Sequence, residues 1–123
     1  MTYLIALLAP ALAATVAYAF NLPQSFGAHP WWSQSVILVG FPIGIGLAAA
    51  LAWLGLRRLA SLLAIAVLGG TSVFVAQIGK ARFAASYAED AFAGQMWYFG
   101  WIATCALTAA LIASVFWPRR NAH

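Results

Sequence analysis

Charge is what this chain of 123 residues has least of: six Lys or Arg and two Asp or Glu, 7% of the sequence, where soluble domains carry about 25%. At this length a soluble fold leaves roughly a third of its surface wet, and too few polar side chains are present to cover it. A soluble globular fold is therefore excluded, and lipid is the expected solvent. Cysteine occurs once, as Cys105, so neither an intramolecular disulfide nor a thiolate metal cluster can form within one chain. Histidine occurs twice, as His29 and His123, too few and too far apart to hold a haem or metal jointly within one chain.

Carboxylates are confined to Glu89 and Asp90. Adjacent acids lie about 100° apart on a helix, which is not the facing geometry of a general acid and base. No carboxylate falls within a long apolar run, so a carrier that moves protons on an intramembrane acid is disfavoured. No Ser-His-Asp triad, HExxH helix or phosphate-cradling glycine loop can be assembled. The chain reads as non-catalytic.

What is present is apolar: 65% of residues are hydrophobic, and the eight charges stand in three clusters between long uncharged runs. A spanning helix needs about 20 mostly apolar residues. Four segments meet this, at residues 3–20, 36–56, 59–78 and 97–117. The first has no Lys or Arg ahead of it, as a secretory signal would, and is read as a spanning helix. The expected fold is an all-α integral membrane protein, a single domain with four transmembrane helices in an antiparallel bundle.

Each connection has its own character. Residues 21–35, NLPQSFGAHPWWSQS, hold prolines that forbid a continuous helix and rings at Phe26, Trp31 and Trp32 that favour the headgroup region, giving an aromatic outer loop. Arg57 and Arg58 make a link so short that the second and third spans must be antiparallel neighbours. Residues 79–96 carry four charges, with Arg82, Ser86, Glu89 and Asp90 on one helical face and Phe83, Ala84, Tyr87 and Ala91 on the other. That pattern predicts a short amphipathic outer helix before the fourth span, lying on the membrane or prolonging the third helix.

Four arginines, Arg57, Arg58, Arg119 and Arg120, share one side of a four-span topology, against Lys80 and Arg82 on the other. The positive-inside bias then puts both termini in the cytoplasm, in a membrane of the bacterial inner-membrane kind. A net charge of +4 distributed this way orients helices and does not point to nucleic acid.

Helices in lipid associate where small residues let backbones approach. Gly40, Gly44 and Gly46 mark such a surface, serving either packing within one bundle or a seam between copies. Pro42 lies in the same stretch, which therefore reads as a kink or as the lining of a ligand site. Candidate interaction residues are Trp31, Trp32, Gln77, Arg82, Glu89, Asp90 and Trp101, with Gln77 requiring a partner if buried. No cofactor is implied, although a lipid or quinone between the helices fits the composition. The expected function is a non-catalytic subunit or assembly factor of a larger membrane complex, with other membrane subunits or a second copy as partners. The alternative is a small homo-oligomeric channel or transporter for a small solute or lipid, with the Gly40 to Gly46 kink lining its path.

Overall fold

A computed structural model describes residues 2–87 and 89–118. All regular structure among them is helical: α1 (Thr2–Phe20), α2 (Leu22–Ser25), α3 (Ser35–Trp53), α4 (Arg58–Ala85) and α5 (Ala91–Phe116). Helices α1, α3, α4 and α5 are each long and apolar enough to cross a membrane. Arg119, Arg120 and His123, invoked above, lie outside the described residues.

Helix α5 is the hub. It packs on α3, α4 and α1, and it supplies more of the buried small residues than any other element, including Ala93, Gly100, Ala106, Ala109, Ala110 and Ala113. Glycine explains the closeness. A Cβ on Gly40 would stand 2.6 Å from Cys105 Cβ, and one on Gly44 would collide with the Ala106 carbonyl. Opposite, a Cβ on Gly79 would stand 2.5 Å from the Trp97 nitrogen, and one on Gly100 would stand 2.9 Å from Ala76 Cα. Backbones this near gain dispersion contacts along their whole length, which is how helices cohere without a hydrophobic driving force. A Cβ on Gly46, grouped with Gly40 and Gly44 in the sequence, would meet no neighbouring element within 4 Å, so this glycine takes no part in the close packing.

These pairs set direction and register. Gly40 meets residues 102–106 and Gly44 meets residues 106–109, so α3 and α5 run parallel. Gly79 meets Ala93 to Trp97, Gly100 meets Ala76, and Ser72 bonds Thr104 at 3.0 Å, so α4 and α5 run antiparallel. The 21–35 loop and the α4–α5 turn therefore share one end, here the crown. The start of α1, the end of α3, the Arg57–Arg58 link and the end of α5 share the other, the base; Tyr3 packs edge-on against Trp117 there, with ring centroids 5.8 Å apart.

The second and third spans, expected as neighbours across the Arg57–Arg58 link, instead pack separately on α5, and three boundaries also depart from the sequence expectation. The second span ends at Trp53 rather than at residue 56, because Gly55 takes a left-handed φ of 82° just beyond it and stops the helix. The third does not stop at residue 78 but continues to Ala85, and the fourth begins at Ala91 rather than at residue 97. Of the two expected alternatives the segment takes the second and prolongs the third helix as far as Ala85, and no separate amphipathic helix precedes the fourth span among the described residues. Its sequence is shared between the end of α4 and the start of α5, since Gly79 and Ala93 let the two helices stay in contact up to the turn.

Candidate functional site

The crown is where the chain concentrates its polar and aromatic groups. Its first part is the 21–35 loop, which is tightly folded. Asn21 adopts a left-handed φ of 50°, tolerable for Asn, and starts the single turn α2 with Pro23 in its first positions. Ser33, fully buried, donates to Asn21 Oδ1 at 2.7 Å, and Gln34 Nε2 donates to the Tyr18 carbonyl at 3.0 Å. The first bond joins the two ends of the loop, and the second ties its far end to α1.

Rings then lock the loop to the helices. Trp97 of α5 donates its indole N–H to the Gly27 carbonyl at 3.0 Å, joining positions 70 residues apart. His29 packs against Trp31, Trp32 and Trp97 with centroids 5.3, 6.0 and 5.4 Å away, and Trp32 also meets Tyr98 at 5.1 Å. The backbone N–H of Trp31 donates to His29 Nδ1 at 3.1 Å, which fixes the ring against the loop backbone. Gly27, at φ 113°, admits Lys80 beside it: a Cβ there would stand 3.1 Å from Lys80 Nζ. A histidine thus sits within the aromatic cluster, and a lysine lies beside the loop that carries it.

The second part is the α4–α5 turn. Asp90 caps α5 by accepting from the Ala93 N–H at 3.0 Å, while its own N–H donates to Ser86 Oγ at 2.9 Å. Tyr87 follows the last turn of α4 at φ 56°, the left-handed position where helices usually place glycine. Its side chain is 91% exposed. Arg82, Glu89 and Phe92 are exposed around it.

The sequence candidates therefore separate into two groups. Trp32 belongs to the aromatic cluster, and Asp90, Arg82 and Glu89 belong to the turn. Trp31 projects outward at 90% exposure, with only an edge contact to His29. Gln77 is exposed on α4 near Gly27 and so escapes the demand for a buried partner. Trp101 lies one helical turn below Trp97 within the core, 8% exposed, and its indole nitrogen has no hydrogen-bond partner. Gly40 and Gly44 are occupied by α5, so the packing within one chain accounts for them and leaves no seam for a second copy at that face.

Sequence reasoning named Lys80 and Tyr87 only as parts of the outer segment running from Lys80 to Asp90, and did not single out Gly27 or Trp97. For Tyr87 the signal was negative, a helix end without glycine. For Trp97 it was present as a ring at a span boundary, but the partner lies in a distant loop.

Chemically, the crown offers exposed rings and both signs of charge on a rigid scaffold. Among the described residues no group of three His, Cys, Asp or Glu side chains comes together to hold a metal ion. No family model, curated protein or solved structure matches the chain.

Proposed function

We propose that the chain is a non-catalytic subunit or assembly factor that docks on another membrane protein through the α4–α5 turn. The observation that carries this reading is the unequal length of the helices. Helices α1 and α3 have 19 residues each, about 28 Å at 1.5 Å per residue, which just matches a hydrocarbon core of about 30 Å. Helices α4 and α5 have 28 and 26. From the pairing of Gly40 with residues 102–106, the start of α3 is level with about residue 100, so the first turns of α5 and the last of α4 rise past it. A helical hairpin thus stands proud of the other two spans, braced by Gly27, Trp97 and Phe83, with Tyr87 at its tip.

Tyr87 sharpens the reading. A side chain other than Gly in the left-handed region costs about 1–2 kcal/mol. Strain held at an exposed aromatic is an inference toward use, because glycine in its place would relieve the backbone at no loss of packing. Exposed Tyr, Phe and Arg are also the residue types that anchor protein interfaces. The transport reading draws less support, since Gly40 and Gly44 face α5 rather than a path.

Purification of the tagged chain in mild detergent tests the reading. A stoichiometric membrane partner should co-purify and be lost in Tyr87→Ala with Phe92→Ala, while the helical signal and monomer melting are kept. Recovery of the chain alone under all mild conditions, or only as a homo-oligomer that the double variant leaves intact, would sink it.

A further inference from the structure

At the base, opposite the crown, the ends of α1, α3 and α5 leave a cleft of about 470 Å³. Ala49, Ala50 and Ala52 form its floor, and the rings of Tyr3, Trp53 and Trp117 stand around it. The space exists because short alanine side chains lie between large rings, and it is well within the range of small-molecule sites. Trp53 is 86% exposed, so its ring gains nothing from burial within the chain.

The charged residues that adjoin the cleft's lining in sequence or by hydrogen bond are of one sign. Arg58 Nη2 donates to the Trp117 carbonyl at 2.7 Å, holding a guanidinium against the wall of the cleft. Arg57 precedes it and is exposed. Pro118, which also lines the cleft, is followed directly in the sequence by Arg119 and Arg120. The only two carboxylate side chains of the chain, Glu89 and Asp90, belong to the turn at the far end of α4 and α5. Nothing acidic in the chain's side chains is placed to balance the arginines.

We infer that the cleft binds one anionic phospholipid, its phosphate on Arg57 and Arg58 and its glycerol and upper acyl chain between Trp53, Tyr3 and Trp117. A guanidinium offers paired N–H donors that match a phosphate's oxygens, and Arg58 uses one of its nitrogens on Trp117 while keeping others. Basic pockets among helix ends beside a bilayer are suited to such headgroups, and the apolar floor distinguishes a lipid from a free anion. The inference rests on membrane embedding and not on docking through α4 and α5.

Native mass spectrometry of the full chain in detergent tests it, with phosphatidylglycerol and phosphatidylcholine of identical acyl chains as probes. One phosphatidylglycerol per chain should bind about tenfold or more tightly than phosphatidylcholine, with each arginine removed costing about fivefold. Arg57→Gln should reduce that preference, and Trp53→Ala should weaken both lipids while keeping it; neither side chain supports the fold. Arg58→Gln is expected to do more but also uncaps α5, so its melting is compared first. Equal binding of the two lipids, a preference untouched by Arg57→Gln, or displacement of the lipid by inorganic phosphate alone would overturn the assignment.

Discussion

Single residues at the crown show how local chemistry departs from what minimal stability would select. Tyr87 sits where the end of α4 requires a left-handed backbone, and Ser86 before it bonds both the Phe83 carbonyl and the Asp90 amide. The turn is therefore determined on both sides of Tyr87, and the residue accepts a conformation that suits glycine. Tyr87→Gly is expected to raise unfolding stability by about 1 kcal/mol, read by thermal or chemical unfolding in detergent. It is also expected to weaken partner capture. A loss of stability instead would mean that the ring makes a contact within the chain, and the docking role would go with it. Nothing in the sequence marks this position: propensity scales treat Tyr as unexceptional at a helix end, and only the dihedral reveals the strain.

Among elements, the controlling event is how near two helices can come. The small-residue content of α3 was legible from Gly40, Gly44 and Gly46, but not which of them meet a neighbour, because that depends on the rotation of α3 about its axis. Structure separates them: a Cβ on Gly44 would collide with Ala106, and one on Gly46 would meet no neighbouring element within 4 Å. Gly44→Ala should cost about 1–3 kcal/mol by forcing α3 off α5. Gly46→Ala should be neutral or raise stability by up to about 1 kcal/mol, since Ala is the better helix former. Steric-trap or thermal unfolding of the two variants side by side checks the contrast; equal effects would show that α3 is rotated from the arrangement described. The same logic explains the missed boundaries. Hydropathy falls at Lys80 and Arg82, yet α4 continues because Gly79 and the small Ala93 keep it in contact with α5 for two more turns. A pattern read along one helix carries no information about its neighbour, so the length of the α4–α5 hairpin could not be read from the residues that form it.

At the scale of the whole molecule, the four apolar helices were legible because composition and run length alone demand them, and the distribution of charge between two ends follows from their connectivity. Crown and base then differ in kind. The crown mixes Lys80, Arg82, Glu89 and Asp90 with rings on folded backbone, whereas the base carries Arg57 and Arg58 with no acid beside them in the sequence. Arginine is costly to translocate and is retained on the cytoplasmic face, so the base is expected inside and the crown outside. Cysteine labelling can read this directly, because the native Cys105 is only 5% exposed within the core and gives a low background. In right-side-out vesicles a membrane-impermeant maleimide should label Glu89→Cys at once and Arg57→Cys only after permeabilisation, both side chains being exposed. The reverse pattern would invert the topology and place the docking hairpin in the cytoplasm. The lipid cleft at the base would survive that result, since it depends on local charge and shape and not on which leaflet supplies the headgroup.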